Sequence, residues 1–476
     1  MVQQRSPLLI FLLISVITAP LPTFAQRRKA VKVRAPQVLE RNVRAELGFL
    51  ASDAMQGRLS ASNYERVAAE YVGSMFRQFG LQPGGDTDAT NNRGFVQRVP
   101  LETARFASAP TVTAGGKSWQ YGKDFLVTGI RVGGLSGDLQ IVEGDTAPAK
   151  GSVSIIRIPE NSNLQQQQNL MRTARISQAA AIVLLESDRA RQQREAGARL
   201  PPVAARLAGD QSPQFAPVFS FSKEAFAELA GLGNGTRVEF AGDLRPDPTA
   251  ATWNAIGFLQ GSDPNGEAIM LSAHLDHLGV NERGTGDTIF NGADDDASGC
   301  VAVLEMARAL SSGQRPRRTI YFICFGSEER GGYGARYFID HSPVPLEKIV
   351  ADITFEMLGR PDAKVPPNTL WLTGYERSTL GPELARQGAR LVADPHPEQN
   401  FFQRSDNYTL ALRGVVAHTV SSFGLHPDYH RVTDDLSKID FAFMTRSIDS
   451  MIQPIRWLAN STFRPAWLPG KQPTRN

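Results

Sequence analysis

Cysteine is nearly absent: Cys300 and Cys324 are the only two in 476 residues. So few exclude a disulfide scaffold of the kind small exported domains depend on, and their apolar neighbours predict buried free thiols. Histidine is also scarce, with seven residues and none before His274, so imidazole chemistry is confined to the second half. Charge of one sign is lacking, the net being +3. That balance does not point to nucleic acid, whose binders concentrate basic residues on one face. The one basic run, Arg315-Pro316-Arg317-Arg318, reads as the solvated lead-in to a strand. Beyond residue 25 no apolar run reaches the ~20 residues a membrane-crossing helix needs, and no internal repeat is visible.

What is present begins with a leader. Arg5, the apolar stretch Leu8–Ala19, Pro20, Pro22 and Thr23-Phe24-Ala25 read as a signal peptide over residues 1–25. A secreted or periplasmic, soluble mature chain is therefore predicted. Its apolar and charged fractions, 41% and 21%, are ordinary for folded protein.

Three regions follow. Val43–Leu50 and Tyr64–Phe79 carry apolar residues at helical spacing, and Gly80–Gly85 breaks the pattern. Residues ~105–245 hold short strand-like runs (Leu139–Val142, Val153–Ile156) and an α/β-like passage, Ala174–Leu185. They are poor in catalytic side chains, and Gln165–Gln168 reads as a solvated helix face. From Ala251 onward strands alternate with helices: strands at Ala268–Ala273, Thr319–Gly326, Ile349–Phe355 and Thr369–Leu372, helices at Ala297–Leu310, Leu380–Val392 and Phe441–Leu458. That alternation predicts an α/β fold, a mostly parallel central sheet with helices on both faces. The expected division is 40–105 and 249–465 for the two parts of the main domain, with a smaller β-rich α/β domain inserted at 106–248.

Acids and imidazoles gather where the strands stop, the place where open α/β sheets build their sites. One strand runs into His274-Leu275-Asp276, the next into Ser327-Glu328-Glu329, a third into Glu356. Between them lies Gly292-Ala293-Asp294-Asp295-Asp296-Ala297-Ser298-Gly299, and near the end stands Tyr429-His430-Arg431-Val432-Thr433-Asp434. Two histidines and several carboxylates on separate loops suit a pair of zinc ions sharing one carboxylate. A calcium loop (Asp294-x-Asp296-x-Ser298-Gly299 with Glu305) lacks the incoming helix such loops require.

Taken in order, His-x-Asp, Gly-Ala-Asp-Asp-Asp-Ala-Ser-Gly, Gly-Ser-Glu-Glu, an acid before Met-x-Gly, and Tyr-His-x-x-x-Asp resemble the bacterial zinc aminopeptidase and glutamate carboxypeptidase family of two-zinc metallopeptidases. The resemblance covers roughly 250–460, with Gln56-Gly57-Arg58 a looser extension. The middle region resembles the protease-associated domain often inserted in such enzymes. The resemblance implies two Zn2+ per chain. His274 and Glu356 would hold one, Glu329 and His430 the other, and Asp295 would bridge. Glu328 would be the general base, with Asp276 orienting His274 from behind. Glutamate at 356, where most relatives have aspartate, is a departure. Phe402–Tyr408 resembles the family's Arg-Ser-Asp loop, so Arg404, Ser405 and Asp406 are candidates for substrate binding. His277, His341, His396, His418 and His426 match no ligand position and are expected to be structural or solvent-exposed. Peptides are the implied substrates, and an exopeptidase, aminopeptidase before carboxypeptidase, is the implied enzyme. A one-zinc glutaminyl cyclase and a catalytically silent binding protein are the alternatives.

Overall fold

The computed structural model describes Met1 and residues 38–474, apart from 131–134, 144–145, 159–163, 198–199, 201–202, 204, 212–214, 264–265 and 282–283. The signal-peptide segment lies outside the described residues beyond Met1. Among the described residues no helix is long and apolar enough to cross a membrane.

Two helices open the fold, α1 (Glu40–Leu50) and α2 (Asn63–Gln78). Ser62 caps α2 by accepting from the N–H groups of Tyr64 and Glu65, which satisfies donors that the first helical turn leaves unpaired. The main sheet then takes β1 (Val96–Glu102), β2 (Ala251–Leu259), β3 (Ala268–His274), β4 (Thr319–Phe325), β5 (Ile349–Phe355), β6 (Leu370–Leu372), β7 (Leu391–Ala393) and β8 (Ala417–Ser421). Its order is β1-β2-β4-β3-β5-β8-β6-β7, with Arg206–Leu207 added outside β1 and Gln82–Pro83 pairing β2. Strands β4, β3, β5 and β8 run parallel. The pairings that flank them, β1 with β2, β2 with β4 and β8 with β6, are antiparallel. The parallel part is thus the centre of a mixed sheet. Every residue of β3, β4 and β5 is buried, as strands covered on both faces must be.

One cover contains α1, α2, α3 (Gly299–Ser311) and α5 (Phe441–Asn460); the other contains α4 (Tyr333–His341) and the short helix Asn407–Ala411. Helix α3 is buried nearly all round, and its one buried acid, Glu305, is answered by Arg308 at 2.5 Å. The predicted helix Leu380–Val392 ends early, at Arg386. Gly388 takes φ +99°, a conformation that suits glycine and stops a helix, and the remaining residues form β7.

The middle of the chain builds a second, eight-stranded sheet between Thr111 and Ala241, with its own apolar core around Phe125, Phe219 and Phe221. Chain entry and exit are paired there, Ala104–Phe106 lying antiparallel to Leu244–Pro246. The glutamine run lies on the helix Leu164–Ile176, and Gln165, Gln166 and Gln168 are exposed. Passage Ala174–Leu185 divides into the end of that helix and the strand Ala181–Leu185. Both cysteines are free and buried.

Arg58 locks the first helices onto the main sheet. Its guanidinium donates to four main-chain carbonyls, Leu50 (2.7 Å), Leu275 (2.9 Å), Asn291 (2.7 Å) and Gly292 (3.0 Å). Gly57, at φ +66°, must be glycine because a Cβ there would stand 2.3 Å from the Gly279 carbonyl oxygen. Arg58→Met keeps the length but strips the donors, and a buried carbonyl left unpaired costs ~1–3 kcal/mol. Urea denaturation should therefore show a loss of at least about 3 kcal/mol.

Candidate metal centre and active-site cleft

Because β4, β3 and β5 are parallel neighbours, their carboxyl ends open at one edge. His274 closes β3, Glu328 and Glu329 follow β4, and Glu356 follows β5. The turns are held in unusual backbone conformations: Ser327, Met357 and His430 have φ of 55°, 54° and 56°, a left-handed region that non-glycine residues enter only when their surroundings enforce it. Enforcement is visible at the first turn. Buried Glu65 accepts from the Ser327 N–H at 2.8 Å, and the Asp276 carboxylate accepts from the N–H groups of Glu328 (2.9 Å) and Glu329 (3.3 Å).

The side chains converge on Asp295. His274 Nε2 lies 3.2 Å from Asp295 Oδ1, and His430 Nε2 lies 3.2 Å from both Asp295 Oδ2 and Glu329 Oε1. His274, Asp295 and Glu356 bring ligand-type atoms within 4.8 Å of one another, and His277, Asp295 and Glu329 do the same. Asp295 belongs to both groups.

The three consecutive aspartates have three destinations. Asp294 accepts from the Gly359 N–H at 2.7 Å and faces His426 Nε2 at 3.0 Å. Asp296 accepts from the N–H groups of His274 (3.1 Å), Gly299 (3.0 Å) and Met357 (3.1 Å). Only Asp295 turns into the cluster. Its own N–H is fixed by Asp434 Oδ2 at 3.1 Å. With Asp294 and Asp296 spent on main-chain donors, and Glu305 on Arg308, no calcium loop is assembled.

The residues fit a pair of metal ions. Asp295 Oδ2, Glu356 Oε2 and His430 Nε2 are buried and make no hydrogen bond, although each has polar neighbours. Buried polar atoms are nearly always bonded, so lone pairs that face one another unpaired mark a place for a cation. Imidazole nitrogen with carboxylate oxygen is the donor set zinc takes.

Residues 254–454 match the sequence model of peptidase family M28. Among curated relatives, the probable lipoprotein aminopeptidase LpqL of Mycobacterium tuberculosis is 24% identical over 391 residues, 73% of each chain. Leupeptin-inactivating enzyme 1 of Streptomyces exfoliatus is 34% identical over 115 residues, 24% of each chain. Aminopeptidase YwaD of Bacillus subtilis is 25% identical over 216 residues, 45% of this chain and 41% of that one. In fold the chain is similar to the aminopeptidase from Aneurinibacillus sp. strain AM-1, with a TM-score of 0.54 at 18% identity, covering 92% of this chain and 98% of that one.

The structure places the sequence-predicted residues unevenly. His274, Asp295, Glu329, Glu356 and His430 come together. Glutamate at 356 reaches the cluster despite its extra methylene. Asp276 stands differently from expectation: His274 Nδ1 faces the Asp276 main-chain carbonyl at 3.1 Å, and the carboxylate is farther, at 3.7 Å. That carboxylate is occupied by Ser60 and the Glu328 and Glu329 N–H groups, so Asp276 organises the glutamate turn as well as the histidine. Arg404 lines a cleft of about 370 Å³ beside Glu356, together with Met357, Trp371, Phe401, Phe423 and Tyr429. Its guanidinium lies 4.9 Å above the Phe401 ring. Ser405 and Asp406 are buried and are not among the residues lining that cleft.

Four of the five histidines outside the implied ligand set have their partners outside the cluster. His341 stacks on Tyr337, His396 pairs with Asp362 at 2.8 Å, His426 faces Asp294, and His418 bridges Ser378 and the Thr373 carbonyl. His277 departs from that pattern. It is fully buried against Glu329, with Nδ1 3.0 Å from Oε1. The signal that could have found it is its place directly after Asp276, on the same turn as His274. Sequence reading missed Glu65, which leaves no motif, and gave no role to Asp434, the last residue of Tyr-His-x-x-x-Asp; both act through main-chain N–H groups.

The ligand-type side chains hold protons that a bound metal would displace. Burial pulls the His430 imidazole down, but Asp295 and Glu329 more than offset it and push it up to about 10. Burial raises the Glu356 carboxyl to about 7, against the lowering effect of His274. A ligating imidazole must be neutral and a ligating carboxylate ionised, so metal uptake releases protons. The sign follows: between pH 6 and 9 apparent affinity should rise with pH, about tenfold per unit for each proton released. Calorimetry at pH 7 in buffers of different ionisation enthalpy should show at least one proton released per chain. Buffer-independent heats would show that the histidine and acids are not the ligands.

Proposed function

We propose that the protein is an exported, zinc-dependent exopeptidase that removes N-terminal residues from peptides. The observation that carries this reading is the pair of three-residue groups sharing Asp295 at the mouth of an aromatic cleft, one with His274 and Glu356 and one with His277 and Glu329, the second also approached by His430 at 3.2 Å from Asp295 and Glu329. His274, Asp295 and Glu356 would hold one ion, and Asp295, Glu329 and His430 the other. When bound, two zinc ions supply Lewis acidity and lower the pKa of water at the site. Glu328 takes the proton of the attacking water and returns it to the leaving amine. Its surroundings support this: burial raises the Glu328 carboxyl above the usual range, His274 opposes that and Glu356 adds to it, whereas its neighbour Glu329 is engaged with His277 and His430.

Glu356 on the cleft wall provides negative charge for a free α-ammonium group. The cleft's aromatic lining takes the first side chain, and Arg404 borders it. Two relatives named above as aminopeptidases support the same end of the substrate. Two groupings of ligand-type residues favour a peptidase over a one-zinc cyclase. Residues 106–248 act as a separate protease-associated-like domain in this reading. The leader-like residues 1–25 support export.

A peptide panel with free, N-acetylated and C-amidated ends tests the reading. Free and C-amidated peptides should lose their N-terminal residue, and acetylated ones should resist. Equal cleavage of blocked and free peptides, or release from the C-terminus, would overturn the assignment of the end.

A further inference from the structure

His277 stands outside the ligand set that the resemblance implies, yet it faces the same two oxygens as His430. Its Nδ1 is 3.0 Å from Glu329 Oε1 and 3.8 Å from Asp295 Oδ2. His430 Nε2 meets those atoms at 3.2 Å and 3.2 Å. The ring is fixed in place. Its main-chain N–H donates to the Arg58 carbonyl at 3.0 Å, and Gly292 packs so closely that a Cβ there would stand 2.6 Å from two ring carbons. The side chain has no solvent exposure, so it cannot swing out to water.

Two imidazole nitrogens thus face the same pair of carboxylate oxygens. Ligand atoms ~2.0–2.1 Å from a tetrahedral zinc ion stand about 3.3 Å from one another. The four nitrogen–oxygen separations, 3.0, 3.2, 3.2 and 3.8 Å, bracket that value. One N–H can point along only one hydrogen bond, whereas Nδ1 here faces two acids at once.

We propose that His277 is a fourth protein ligand, through Nδ1, of the metal position formed by Asp295, Glu329 and His430. This rests on the two-metal reading above. The two positions are then unequal. The one with His277 is filled by four protein groups, as in closed structural zinc sites, and the one with His274, Asp295 and Glu356 keeps an open place, as catalytic sites do. The ion at the four-ligand position is retained when the other is stripped.

The test uses the full chain loaded with Co2+, and its readout is spectroscopic. Wild-type protein should show three hyperfine-shifted exchangeable imidazole N–H resonances, from His274, His277 and His430, and His277→Gln two. Chelator competition should show one Co2+ site of His277→Gln weakened by more than ~100-fold, beyond the 10–100-fold that loss of an outer-shell partner causes, with the other site unchanged. His277→Asn is the second variant, with matched melting of the metal-free proteins as the folding control. Two shifted resonances in wild type would overturn the proposal, a result that does not depend on either variant folding. Unchanged affinity at both sites of a folded variant would overturn it too. No Co2+ uptake by wild type would instead bring down the two-metal reading itself.

Discussion

Glu328→Gln is expected to lower kcat by ~10²–10⁴, the usual worth of general-base help, with metal content and folding unchanged. Glutamine keeps the size and shape but cannot accept the water's proton. The local structure should survive, because the Glu328 main chain is held through its N–H by Asp276 and the preceding Ser327 N–H by Glu65. Neither contact uses the Glu328 side chain. The neighbouring change behaves differently. Glu329→Gln replaces a carboxylate that lies within 3.2 Å of both His277 and His430, so it should weaken one metal site and recover partly in excess zinc. Metal loss in the Glu328 variant, with none in its neighbour, would show the two roles to be reversed.

Asp295→Ala should have the largest effect of any single change. It removes the one carboxylate common to both groups of ligand-type residues, so both metal positions should be weakened and activity should fall to that of the metal-free protein. Excess zinc should not restore it, in contrast to Glu329→Gln. The fold should persist, since the main-chain donors around the loop are served by Asp434 and Asp296 rather than by Asp295. A variant that retained two ions with near-normal turnover would place the metal centre elsewhere.

The cluster was legible in the sequence because it is built at strand ends. Strands β3, β4 and β5 are short apolar runs that stop abruptly at His274, Ser327 and Glu356, and parallel pairing brings those stops to one edge. What periodicity could not show was the antiparallel flank on either side, because strand direction is set by connections and not by composition. Three aspartates in a row read alike. Only the folded loop sends Asp294 to the Gly359 N–H, Asp296 to the His274, Gly299 and Met357 N–H groups, and Asp295 into the cluster. Arg58 illustrates a different limit: its four acceptors are main-chain carbonyls from three separate segments, and carbonyl positions are invisible in a sequence. His277 was passed over for a related reason, since its partner Glu329 is 52 positions away.

Zinc titration of the chelator-treated protein, read as bound metal and as peptidase activity on a free-amine peptide, tests the central claim most directly. Two equivalents should bind per chain, wild-type activity should return with them, and Asp295→Ala should bind both more weakly and stay inactive. Full activity in metal-free protein, or binding of both equivalents by Asp295→Ala with wild-type affinity, would contradict it.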